Sequence, residues 1–149
     1  MNLFDSESWE LGVGKMKRDI IATAAEFFGA KGETQRETLE RILAEDIRWK
    51  IPIGAIESRA GTHQGKALVV DMMCSSVQDT FKPGSQQSKV LMVMSNENTV
   101  VNEIELKAET LDGRQYHNFY VFIFEFNEAG EICERLEYVD THIAGQFFS

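Results

Sequence analysis

Residues 111–126 read LDGRQYHNFYVFIFEF, and the reading of this stretch decides the fold. Asp112-Gly113 is a strong two-residue hairpin signal, and the residues from Gln115 to Phe126 alternate like a strand, with no helical period. The predicted hairpin pairs Leu111 with Arg114, and counting back sets Glu105 opposite Tyr120 and Glu103 opposite Phe122. A second turn at Glu128-Ala129, taken as two residues, sets Tyr120 opposite Glu137 and Phe122 opposite Arg135. One face then carries the rows Glu105, Tyr120, Glu137 and Glu103, Phe122, Arg135. The other carries Ile104, Val121, Leu136 and Leu106, Phe119, Tyr138. A solvated face rarely aligns three phenylalanines such as Phe122, Phe124 and Phe126. Both faces of this strand are therefore expected to be buried, one against helices and the other against a second subunit.

Further strands are predicted over residues 89–94, 99–111 and 131–139, which with 115–126 make an antiparallel meander. Helices precede it. Ile20, Ile21, Ala24, Phe27 and Phe28 recur at helical spacing within residues 18–30. Thr34-Gln35-Arg36-Glu37 has the form of a capping box before a second helix, and residues 46–51 read as a short strand stopped by Pro52. A loop over residues 54–65 leads to a third helix with the stripe Val70, Met73, Val77, Phe81, ended by Pro83-Gly84. Residues 141–148 close the chain as a helical turn with Asp140 as N-cap. Helices first and strands after indicate an α+β domain, with helices covering one face of a curved antiparallel sheet. At 149 residues and 43% hydrophobic composition the chain is expected to hold one domain, over residues 18–149, behind an N-terminal extension of residues 1–17.

Twenty-four acidic residues against fifteen basic ones give a formal charge of −9. The basic residues form no stripe, so nucleic acid is not an expected partner. The start, MNLFDSESWELG, is acidic without an apolar run, and no stretch approaches the ~20 apolar residues of a membrane span. A cytoplasmic protein that does not engage membranes is expected. Cys74 and Cys133 lie in apolar patterns and lack C-x-x-C spacing, which suits reduced thiols. His63, His117 and His142 are scattered, so no metal site is expected. Gly12-Val13-Gly14-Lys15 lacks the spacing of a phosphate loop.

The order helix, helix, short strand, helix, meander, with Glu103-x-Glu105, Asp112-Gly113, Asn118-x-Tyr120 and Glu137-Tyr138-x-Asp140-Thr141, resembles the SnoaL-like, or ketosteroid-isomerase-like, branch of the nuclear transport factor 2-like superfamily. The resemblance spans about residues 18–148. It implies a cone-shaped, cystatin-like α+β barrel, with the sheet wrapped around the N-terminal helices and an apolar pocket inside, and a convex face used for homodimerisation. It also implies that the face carrying Tyr120 and Glu137 looks inward. The catalytic residues of ketosteroid isomerases are not matched, since Ile51, Ala25 and Phe122 stand near their places. The Asp-Arg-Asp set of limonene-epoxide hydrolases falls on Glu105, Glu103 and Glu137, with an acid where arginine should bridge. The acidic general base of SnoaL-type cyclases is a looser demand that this chain meets.

The residues then point to cofactor-independent acid/base chemistry on an apolar, oxygenated small molecule. Glu137 and Glu105 are the expected acid and base, with pKa values raised by burial and mutual repulsion, and Tyr120 is the expected donor to a developing enolate or alkoxide. His63, at the pocket rim, is a further candidate. The expected ligand-binding set is Trp49, Glu103, Phe122, Phe124, Asn118, Arg135 and Asp140. The competing reading is a non-catalytic dimeric binding module in which Arg135 and Lys107 neutralise the glutamates.

Overall fold

Alternation along β5 (Gln115–Phe126) sets the architecture. Tyr116, Asn118, Tyr120, Phe122, Phe124 and Phe126 are buried, while the residues between them are half-buried or exposed. The computed structural model describes residues 20–54 and 57–148, and the expected extension over residues 1–17 lies outside them. β5 sits within a six-stranded sheet with β1 (Leu43–Ile51), β2 (Gly61–Gln64), β3 (Gln87–Asn96), β4 (Thr99–Glu109) and β6 (Ile132–Val139), in the order β2-β1-β6-β5-β4-β3. The meander β3 to β6 is antiparallel, as expected, but β1 joins β6 in parallel, so the curved, unclosed sheet as a whole is mixed.

Three helices fill the inner face: α1 (residues 20–29), α2 (Thr34–Ile42) and α3 (Lys66–Thr80). Ile20 and Ala24 of α1, Leu39 and Ile42 of α2, and Val69, Val70 and Met73 of α3 pack into one core with Ile47, Ile104, Phe122 and Phe124. The capping box predicted before α2 does not form. The Thr34 hydroxyl donates to the Lys31 carbonyl at 3.0 Å, and Glu33 occupies the N-cap without a side-chain bond. Asp140 does cap the short α4 (Thr141–Ala144), accepting from the backbone N–H groups of His142 and Ile143. Among the described residues no helix is long and apolar enough to cross a membrane.

The expected loop over residues 54–65 contains a strand, β2, paired antiparallel to β1 with His63 opposite Trp49. Its GTHQ sequence carries no strand signal of its own; it covers the edge that β1 leaves open on the side away from β6. On the β6 side, Glu134 receives Arg48 at 2.6 Å and Lys50 at 2.8 Å. That clamp holds the parallel register in which Trp49 lies beside Arg135.

Both hairpins differ from the sequence expectation, for the same physical reason. The β4–β5 connection has three residues, Leu111 to Gly113, because the backbone N–H of Thr110 donates to the Arg114 carbonyl at 2.9 Å. The Thr110 side chain supports this loop, accepting the Arg114 N–H at 2.9 Å and donating to the Asp112 carboxylate. Gly113 takes φ +84°, the left-handed position such a loop needs. One extra loop residue slips the register by one, so Glu105 faces Phe119 and Glu103 faces Val121, and both glutamates turn outward. Ile104 and Leu106, expected outside, turn inward instead.

The β5–β6 connection is likewise three residues, with Asn127 N–H donating to the Glu131 carbonyl at 2.9 Å and Gly130 at φ +77°. Here a β-bulge follows, between the pair Phe126–Ile132 and the pair Glu125–Glu134. The two one-residue shifts add, so Tyr120 pairs with Val139 rather than with Glu137, and Glu137 pairs with Phe122. An even shift preserves the face. Arg135 and Glu137 therefore look inward as expected, although by a different count.

A Cβ placed at Gly113 would meet no atom within 4 Å, so substitution there is penalised by backbone strain alone. Gly113→Ala is expected to lower stability by about 1–2 kcal/mol, read as a reduced urea midpoint at unchanged m-value.

Candidate functional site

The inner sheet face and the helices enclose a cavity of about 190 Å³. Phe27 and Phe28 come to it from α1, Trp49 and Ile51 from β1, Met73 and Val77 from α3, and Ile104 and Leu106 from β4. Tyr120 and Phe122 of β5 and Arg135 and Glu137 of β6 complete the inner wall. Lys31 and Arg59 also line it.

Glu137 is the one acidic residue among these. Its Oε2 accepts the Trp49 indole N–H at 2.9 Å and lies 3.3 Å from Nη1 of Arg135. Arg135 is 4% exposed, and its guanidinium carbon stands 4.5 Å from the ring centres of Phe27 and Phe122 and 5.0 Å from that of Trp49. Burial pulls its pKa down, opposed by the negative charge of Glu137, yet a guanidinium stays charged in such a setting. Its approach to Glu137 is close but poorly aligned. Nε and Nη1 are buried and donate to no acceptor among the described residues.

Tyr120 stacks on Phe122, with ring centres 5.5 Å apart and planes 8° from parallel. A chain of hydrogen bonds runs to it from behind. The Phe119 N–H donates to Oδ1 of Asn118 at 2.8 Å, which makes Nδ2 the donor that reaches the Tyr116 hydroxyl at 3.0 Å and the Asp140 carbonyl at 3.1 Å. Tyr116, 1% exposed, has the Tyr120 hydroxyl 2.5 Å away. If Tyr120 donated along this contact, the buried Tyr116 proton would lack an acceptor, which is costly. Tyr116 therefore donates to Tyr120, and the Tyr120 proton is left for the cavity. Burial first, then the neighbouring Tyr116 and Glu137, push the Tyr120 pKa well above its ordinary value, so the hydroxyl keeps its proton at neutral pH.

The expected site is thus assembled in part. Trp49, Tyr120, Phe122, Arg135 and Glu137 meet in the cavity. Glu105 and Glu103 do not, because the one-residue slip of the β4–β5 hairpin carries both to the outer face. There His117, at 2.8 Å, and then Lys107, at 3.3 Å, hold the Glu105 carboxyl below the usual range, the reverse of the expected rise. The acid set matched to epoxide hydrolases is therefore not gathered in one place. His63 lies on β2 rather than a loop. Its Nε2 can only donate to the Arg59 carbonyl, 2.8 Å away, and the residue is not part of the cavity wall. Phe124 is fully buried behind Phe122, Asn118 is the buried start of the hydrogen-bond chain, and Asp140 caps α4, so none of these three lines the cavity.

Phe27, Phe28, Lys31 and Arg59 are cavity residues that sequence reasoning did not single out. The phenylalanines were legible as helix apolar positions, but not as a lid over β5. Arg59 sits in a stretch without period. Among the described residues, no cluster of His, Cys, Asp and Glu could hold a metal ion.

A family model described as a SnoaL-like domain matches residues 24–135. Among curated proteins none matches. Solved structures do. An NTF2-like protein of unknown function from Burkholderia pseudomallei is 18% identical, with 88% of this chain and 98% of that one covered and a TM-score of 0.74. A putative SnoaL-like polyketide cyclase from Jannaschia is 14% identical over 89% of this chain and 92% of that one, with a TM-score of 0.72. TerC, co-crystallised with polyporic acid, is 18% identical over 87% and 96%, with a TM-score of 0.71. At these identities the likeness is one of fold. The extent of the family match, over the helices and most of the sheet that build the cavity, means that the chain belongs to the SnoaL-like domain family, with the nuclear transport factor 2-like α+β cone fold.

Proposed function

We propose that the cavity binds a small, oxygenated, largely apolar molecule and that the chain acts on it by cofactor-independent acid/base chemistry. The observation that carries this reading is one carboxylate, Glu137, and one free hydroxyl donor, Tyr120, lining the same aromatic cavity. They are diagonal neighbours across β5 and β6, a relation that places Cα atoms about 7–8 Å apart. A carbon acid between them would lose its proton to Glu137 while its carbonyl oxygen, gathering charge, took the Tyr120 hydrogen bond. Isomerisation, aldol closure and dehydration share that enolate-forming step, and a hydrolysis would use Glu137 on water instead. The likeness to the putative Jannaschia polyketide cyclase and to TerC, which was crystallised with polyporic acid, supports a small-molecule role for this cavity.

A non-catalytic binding module is the second reading, favoured by one observation: Glu137 already takes the Trp49 N–H and stands beside Arg135. The two readings separate in the exchange of α-protons of ketone and ester ligands into deuterated water, followed by NMR. Glu137→Gln is expected to slow that exchange by about 10²–10⁴-fold, and Tyr120→Phe by about 10²–10³-fold. Glu105→Gln, on the outer face, should leave it unchanged. A binding module exchanges nothing beyond the rate in free solution.

The same reading includes a homodimer through the convex face. Val121, Ile123 and Leu136 lie there beside Phe119 and Tyr138, which are 45% and 48% exposed, and Met92 and Met94 continue the apolar surface onto β3. A contiguous apolar surface of this kind favours a covering partner. Sedimentation at micromolar concentration is expected to give twice the chain mass, and Phe119→Glu with Tyr138→Glu to give the monomer.

A further inference from the structure

We propose that the ligand is an organic anion, with an apolar body in the aromatic cavity and a carboxylate-type oxygen that accepts a hydrogen bond from Arg135. This rests on the reading of the cavity as a small-molecule site and narrows what enters it.

Arg135 is nearly as buried as the phenylalanines around it, and a buried cation with unmet donors is costly. Three ring faces surround the guanidinium, but ring faces accept no conventional N–H hydrogen bond of full strength. The carboxylate beside it, Glu137, is misaligned for a hydrogen bond from Nη1, and its Oε2 also serves Trp49. Nε and Nη1 are thus two donors without an acceptor, on different edges of the guanidinium, and a charge-assisted hydrogen bond to a carboxylate-type oxygen is the strong way to satisfy either. A helix or loop of this chain could have supplied that acceptor, and none among the described residues does.

The remaining charges point the same way. The chain carries a net −9, yet the charged residues lining the cavity are Lys31, Arg59 and Arg135 against Glu137 alone. Lys31 donates to the Gln86 carbonyl at 3.0 Å, and Arg59 donates to the Ser76 hydroxyl and lies over Phe148. Neither forms an ion pair with an acid among the described residues. A cationic cavity in an acidic protein concentrates anions at its mouth and repels cations from it. The Tyr120 hydroxyl, free to donate, lines the same cavity as Arg135, Lys31 and Arg59, so the cavity offers more donors than one neutral carbonyl could use.

The test compares 2-naphthoate with its neutral analogue 2-naphthamide, each titrated calorimetrically into the full chain. The carboxylate is expected to bind at least roughly tenfold more tightly, the scale of one charge-assisted hydrogen bond over a neutral one. Arg135→Met, which fills the cage without the charge, is expected to abolish that preference while still binding the amide. Equal affinities in the unaltered protein would overturn the anion assignment and leave the cavity as a small-molecule site. Failure of both probes to bind would overturn the reading of the cavity and this inference with it. A preference that survives in Arg135→Met would place the selectivity on Lys31 and Arg59 and overturn the role given to Arg135. Should Arg135→Met fail to fold by circular dichroism, Arg135→Lys is measured: it keeps the charge and loses the guanidinium's fixed planar donors, and a severalfold loss for naphthoate alone is expected. An unchanged naphthoate affinity there counts against the proposal.

Discussion

The aromatic stack along the inner face of β5 is the interaction on which the rest depends. Tyr120, Phe122 and Phe124 lie one above another, two residues apart, and Phe27 and Phe28 of α1 close over Phe122 and Phe124 at centroid distances of 5.2–6.3 Å. Aromatic side chains bury the largest apolar area per residue, so this slab dictates which face of the sheet the helices cover. It thereby dictates which residues of β6 are enclosed. Arg135 and Glu137 are inside because they pair with Phe124 and Phe122.

Enclosing Arg135 works against stability and has to be offset locally. Desolvating a guanidinium costs several kcal/mol, while a cation over a ring returns about 0.5–2 kcal/mol and the ion pair with Glu137 returns part of the rest. The clamp of Arg48 and Lys50 on Glu134 keeps β1 against β6, and so keeps Trp49 both over Arg135 and in hydrogen-bond reach of Glu137. The arrangement leaves the Nε and Nη1 donors of Arg135 unmet among the described residues.

The sheet also separates two kinds of carboxylate. Glu137 is inside, bonded to an indole and facing Arg135; Glu105 is outside, paired with His117 and Lys107 in water. Alternation makes this division sharp, because a side chain on a strand points to one face or the other. The residues that line the cavity and those of the convex face can therefore change independently. The hydrogen-bond chain from Asn118 through Tyr116 to Tyr120 crosses neither the cavity nor the outer surface, and it orients a donor without occupying ligand space.

The sequence by itself determined the helices and the strands other than β2, the placing of the helices before the meander, the strand β5 to the residue, and the resemblance carried by Glu103-x-Glu105 and Glu137-Tyr138-x-Asp140. It also determined that Tyr120 and Glu137 share a face, since the two errors on the β6 side sum to an even number. What it left open was parity at the first hairpin. Asp112-Gly113 suits either a two-residue or a three-residue loop, and the choice rests on the Thr110 hydroxyl bonding Arg114, a contact that local pattern does not announce. Strand β2 became a strand only because β1 offered an open edge. Phe27, Phe28, Lys31 and Arg59 joined the site through packing between segments far apart in the chain. Period-two patterning is local and survives in the sequence, whereas register, lids and the company of a buried charge are set by which surfaces meet, and those only the tertiary structure decided.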